Sequence, residues 1–175
     1  MFKDLAAIMD KAAEKENFTS RQGGAKEFEV KELEDAFNIT LPADYKFYLL
    51  TCGYTVWFGE IICGFVDKGA MFEGDADVIP TTQYYRKLYN DDNNYTSVSS
   101  KGVVIGSYDG GGYYFLFSQE SERAGEVGLF LTETYGQEVS KFKSFTDYLS
   151  FLVTGTPEPE PVDVDYDEIM DIIED

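Results

Sequence analysis

The spacing of apolar residues changes near Gly53, and that change constrains the fold more than any other feature of the chain. Up to that glycine, apolar residues recur at helical intervals. Beyond it come β-branched and aromatic runs separated by glycine-rich turns. Helical spacing then returns near the end. Helices first, then strands of antiparallel type, then a closing helix is the order of an α+β fold.

The opening stripe is Phe2, Leu5, Met9 and Ala12, which predicts a helix that stops in a polar stretch ending at Gly23-Gly24. A second helix carries Val30, Leu33 and Phe37 on one face, with Glu32, Glu34 and Asp35 facing water. In the stretch Ile39-Thr40-Leu41-Pro42-Ala43-Asp44-Tyr45, proline suits a first helical position because its missing N–H would have no partner there. Asp44 then sits against the positive end of the helix dipole. Tyr45, Tyr48, Leu49 and Cys52 form the inner face, and Gly53 ends the helix.

Thr55 to Phe65 reads as one or two strands with a turn near Gly59, and Thr81 to Tyr89 as a short helix. Val103-Val104-Ile105 is a buried strand, Asp109 to Gly112 a tight turn, and Tyr113 to Phe117 the returning strand. Val127 to Thr132 and Glu138 to Phe142 supply two more. Ser144 caps a final helix, with Asp147 three residues on, and its inner face is Phe145, Tyr148, Leu149 and Leu152.

Composition narrows the chemistry. The 175 residues suffice for one domain, which we place at residues 1–154. Residues 155–175 form a Pro/Glu linker and an acidic tail, in which Tyr166, Ile169, Met170 and Ile173 have amphipathic helical spacing over a length too short to be stable alone. Histidine is absent, which removes imidazole-activated nucleophiles, imidazole metal sites and histidine pH switches. Cys52 and Cys63 fit neither a disulfide framework nor a Cys-x-x-Cys site, so both read as buried thiols. With 33 acids against 14 bases the net charge is −19, and nine of the acids follow Thr154. Such a chain repels nucleic acid and anionic membranes, and suits a basic protein partner. The charged start lacks the pattern of a signal peptide, and no apolar run approaches a membrane span, so the expected location is cytoplasmic.

No motif stands out as catalytic. The Asp109-Gly110-Gly111-Gly112 loop lacks the Gly-Lys-Ser/Thr ending of a phosphate cradle and reads as a hairpin turn. Glu73-Gly74-Asp75-Ala76-Asp77 has a misplaced glycine for a calcium loop, and Tyr84 stands where the bidentate glutamate would be. Close carboxylate pairs arise by chance among 33 acids. We therefore expect no metal, no cofactor and no catalytic residue.

The stretches Gly24-Ala25, Val30-x-x-Leu33-Glu34 and Ile39-x-Leu41-Pro42-x-Asp44-Tyr45-x-x-Tyr48-Leu49-Leu50 together resemble the start of the SUKH superfamily, the SMI/KNR-type domain. Val103 to Tyr113 resembles that family's central hairpin, and Phe142 to Phe151 its closing helix. Gly24-Ala25 and the strand Phe58 to Phe65 are most similar to the YobK-like bacterial branch. Two departures are Cys52-Gly53 where Asn-Gly is usual, and Glu34-Asp35-Ala36-Phe37-Asn38 in place of Glu-x-x-Leu-Gly.

The resemblance implies a twisted, mainly antiparallel sheet packed by N-terminal and C-terminal helices. It also implies an immunity protein, an antitoxin that binds and blocks a cognate polymorphic toxin. The alternative it implies is a regulatory scaffold of the cell-wall-assembly type, with no toxin partner. If the toxin is a nuclease its cleft is basic, and an acidic inhibitor complements it. Tyrosine beside carboxylate grips an arginine-rich surface through ring area, cation–π attraction and charge. On that ground the expected partner-binding residues are Tyr84, Tyr85, Tyr89, Asp91, Asp92 and Asp109.

Overall fold

The structure, a computed structural model, describes residues 2–57, 59–71, 74, 76–91 and 95–166. Phe58, Glu73, Asp75 and Asp92 lie outside the described residues, as do Ile169, Met170 and Ile173 of the tail stripe. The elements in chain order are α1 (Lys3–Ala13), β1 (Thr19–Ser20), α2 (Glu27–Phe37), α3 (Ala43–Cys52), β2 (Thr55–Trp57), β3 (Glu60–Ile62), α4 (Val78–Asn90), β4 (Gly102–Ser107), β5 (Gly112–Phe117), β6 (Val127–Leu131), β7 (Glu138–Phe142), α5 (Phe145–Thr154) and β8 (Glu160–Pro161). This is an α+β fold with two antiparallel sheets, ordered β1-β2-β3 and β4-β5-β6-β7-β8.

The sheets meet at a bulge. β4 shifts register against β5 between Val104 and Gly106, and the Ile105 carbonyl accepts from the Cys63 N–H at 2.7 Å. The edge of β4 is thereby joined to the end of β3.

Side chains alternate across β4 and β5 and divide the interior into two layers. Val103, Ile105, Tyr114 and Leu116 join the main core with Leu5, Leu33, Tyr45, Tyr48, Phe145 and Leu149 from the helices. Val104, Tyr113, Phe115 and Phe117 form a second cluster on the opposite face, closed by Tyr89 of α4. At the β4–β5 turn, Gly111 takes the positive φ of +82° and donates to the Tyr108 carbonyl, so the glycine run serves as a hairpin turn.

The Leu-Pro-x-Asp-Tyr stretch is the joint of the main core. Leu41 is buried, and its N–H donates to Glu34 Oε1 at 2.8 Å. Glu34 also pairs with Lys46 Nζ at 2.7 Å, so it is anchored between α2 and α3 and not turned out to water as the periodicity suggests. Pro42 stands one residue before the expected first helical position, at the N-cap of α3, where its carbonyl accepts from the Lys46 N–H at 3.0 Å. Asp44 reaches beyond its own helix: Oδ2 accepts from both the backbone N–H and the hydroxyl of Thr146 at 3.1 Å, holding the start of α5. Tyr45 and Tyr48 donate to the carbonyls of Cys63 and Ile62, fixing the β2–β3 hairpin against α3. Gly24, at φ +64°, passes so close to the Leu50 carbonyl that any Cβ would collide with it, which accounts for a glycine ahead of α2.

Ser144 accepts from the Asp147 N–H at 3.0 Å and caps α5. Within α5, Val153 is buried and Leu152 only partly so, a small rotation from the expected inner face. After α5 the proline-rich segment lies along β7, where Ser140 pairs with Pro161 and the Val162 N–H donates to the Val139 carbonyl.

Candidate functional site

α4 crosses the sheet face opposite the main core, and its own contacts decide which side faces out. Asp77 accepts from the Ile79 N–H at 3.3 Å and starts the helix, and Pro80 falls in the first turn, where its missing N–H costs nothing. The helix therefore begins three residues before the expected Thr81. Thr82, fully buried, accepts from the Val104 N–H at 3.0 Å and ties α4 to β4. Arg86 spans the gap to the chain before β4, donating to the carbonyls of Ser99, Ser100 and Gly102 at 3.1, 3.2 and 2.9 Å. Its guanidinium lies over the Phe37 ring at 4.6 Å.

With those residues turned inward, Tyr84 and Leu88 point out, at 60% and 49% exposure. Tyr85 is half-buried and donates from its hydroxyl to the Gly112 carbonyl at 3.0 Å. That bond sets the β4–β5 turn, with exposed Asp109, beside α4. Tyr84 meets the Tyr85 ring edge-on, with centroids 5.3 Å apart and planes at 82°. Tyr85 in turn packs on Tyr113, which stacks on Phe130 at 5.2 Å.

Tyr89 does not belong to the outer surface. At 1% exposure it lies beneath it, bonded to Thr132 Oγ1 at 2.7 Å and ringed by Tyr85, Tyr95 and Tyr113. Its place at the centre of the second cluster leaves it no free face, so its role is to support Tyr85. Asp91 is exposed but caps the far end of α4, about 10 Å from Tyr84 at 1.5 Å per residue. Of the six expected residues, then, Tyr84 and Tyr85 meet edge-on, Asp109 stands on the turn that Tyr85 anchors, Asp91 lies apart, Tyr89 is buried and Asp92 is outside the described residues.

Between α4 and the β3–β4 junction runs a groove of about 420 Å³, lined by Ile61, Gly74, Pro80, Thr81, Tyr84, Tyr85 and Ser107. Among the described residues no lining residue is charged, but acids flank the groove in sequence. Glu60 precedes Ile61, Asp109 follows Ser107 by two residues, and Gly74 stands between Glu73 and Asp75. The Glu60 carboxyl is pushed above its usual range by desolvation first and by Asp109 second, which marks uncompensated negative charge at this end of the hairpin. The exposed ring of Tyr108 adds aromatic surface there. Leu88, Tyr108 and Glu60 were not singled out from the sequence; Leu88 had a signal, lying one turn after Tyr84 with no buried partner implied.

Burial pushes the Tyr85 hydroxyl up to about 12 and the Cys52 thiol to about 11, so both are neutral near pH 7. Among the described residues, no group of three His, Cys, Asp or Glu side chains could hold a metal ion. Nor, among those residues, is any helix long and apolar enough to cross a membrane.

The fold and this surface define a helix-flanked α+β domain with a rigid tyrosine face. Residues 24–150 match the model of the SMI1/KNR4 family (SUKH-1), and the chain belongs to that family. The matched span opens at the Gly24 approach and closes inside α5. No curated protein matches the sequence.

Proposed function

We propose that the protein is a non-catalytic immunity protein that binds and neutralises a cognate toxin, of the nuclease type with a basic cleft. Membership of the SUKH family supports a protein-binding role of this kind. The observation that carries the electrostatic part is the distribution of charge. Among the described residues five of the 14 bases are ion-paired with the chain's own acids, Arg21, Lys31, Lys46, Arg123 and Lys143, and the 33 acids far outnumber all the bases together. The surplus acid of a −19 chain is thus left for solvent or a partner. Tyr84, Tyr85 and Asp109 form the contact, with Asp91 and the tail as supporting charge, in a reducing cytoplasmic setting.

Co-expression tests this reading. The toxic domain encoded by the neighbouring reading frame should arrest growth alone and be tolerated when this chain is co-expressed. Absence of such a frame, or arrest that persists with soluble chain present, contradicts it.

A further inference from the structure

We infer that the groove between α4 and the β3–β4 junction receives an arginine side chain, carried on a basic loop of the protein partner. This rests on the reading that the partner is a basic protein, and names the chemistry of the contact.

The groove's polarity selects the guest. Its walls are apolar or aromatic, from Ile61, Pro80, Tyr84 and Tyr85, with the hydroxyl-bearing Thr81 and Ser107 along it. A guest must therefore offer a flat or aliphatic body. The flanking charge is acidic at two described points that are distant in sequence, Glu60 and Asp109, which interact with each other, so the guest's tip must be cationic. Neither Glu60 nor Asp109 has an ion-pair partner among the described residues. Arginine satisfies both demands, since its stem is apolar and its planar guanidinium stacks on rings while donating to carboxylates. The molecule uses the same pairing internally, with Arg86 over Phe37 at 4.6 Å and Arg123 over Phe117 at 4.1 Å.

The platform is also preformed. Tyr85 is held by its bond to Gly112 and its packing on Tyr113, and Tyr84 leans on Tyr85, so little side-chain freedom remains to be lost on binding. Lys87, one turn along α4 from Tyr84, is the nearby base that opposes a cationic guest.

The test has two arms. In the first, the isotopically labelled full chain is titrated with the peptide acetyl-Gly-Arg-Gly-amide and with its Gln and Glu counterparts. The arginine peptide should shift the amides of Ile61, Tyr84, Tyr85 and Ser107 saturably, the other two should not, and Ser107→Arg should abolish the shifts. Equal response to the Gln peptide, or shifts confined to the acidic tail, overturns the inference. In the second arm, affinity for the toxic domain of the neighbouring frame should fall at least tenfold in Ser107→Arg and in Tyr84→Ala, and rise in Lys87→Glu. Toxin that binds the wild type and all three variants equally overturns the groove while leaving the immunity reading intact. Arginine-peptide binding at the groove with no toxin neutralised does the reverse.

Discussion

Two helices of this protein carry tyrosines at helical spacing, and the two sets have opposite fates. In α3, Tyr45 and Tyr48 are wholly buried, with hydroxyls bonded to backbone carbonyls of the β2–β3 hairpin. In α4, Tyr84 is exposed, Tyr85 half-buried, and only Tyr89 reaches the interior. The difference lies in the neighbours. α3 interleaves its tyrosines with Phe47, Leu49 and Leu50 and is packed into the main core, whereas α4 interleaves them with Gln83, Arg86, Lys87 and Asn90 and covers the opposite sheet face. The first set builds the scaffold, and the second leaves a rigid aromatic surface over it.

The largest effect that separates the sets is on stability. Tyr48→Ala removes a fully buried ring and should cost about 3–5 kcal/mol in urea unfolding. Tyr84→Ala should stay within about 0.5 kcal/mol of wild type. Comparable losses at both positions would erase the distinction.

Next comes the joint that α3 makes with α5. Asp44→Ala strips the cap from the Thr146 N–H and should cost about 1–2 kcal/mol, while Asp109→Ala on the exposed turn should cost almost nothing. A similar loss is expected from Tyr48→Phe, about 1 kcal/mol, because the Thr55 hydroxyl and Ile62 carbonyl stay buried without it.

The smallest effects are in pH dependence, and their signs differ between regions. Glu60, at the tyrosine-rich end, has a raised pKa, so its contribution favours the fold when protonated and is lost as pH rises through its folded value. Glu60→Gln should raise the urea midpoint at pH 7, and the gain should vanish below the ordinary value of 4.5. Glu120 is held down to about 2, chiefly by the Thr40 N–H, so its contribution is present above the ordinary value and lost as pH falls towards 2. Glu120→Gln should lower the midpoint at pH 7 and match wild type at the acid end. Identical pH profiles for the two variants would contradict the assignment.

Local chemistry made much of the scaffold legible. The Pro42 start, the Gly53 stop, the glycine hairpin and the Ser144 cap all act within a few residues, and all recur in the structure. What escaped depends on distant partners. Asp44 reads as a dipole residue until Thr146, 102 positions away, is brought to it. Glu34 reads as solvent-facing until Lys46 and Leu41 fold back over it. α4 starts at Val78, ahead of the expected Thr81, because Asp77 caps it and Pro80 is tolerated in the first turn. Tyr89 lies one turn after half-buried Tyr85, on the same helix face and turned away from exposed Tyr84, and the sequence does not mark which face has a sheet beneath it.

We propose that the chain works by electrostatic docking of its α4 face on a basic protein. Stopped-flow association with the toxic domain of the neighbouring frame, at increasing salt, tests it most directly. Between low and high ionic strength the on-rate should fall by roughly tenfold or more, and Asp109→Asn should flatten that dependence. An on-rate indifferent to salt, for wild type and variant alike, would contradict it.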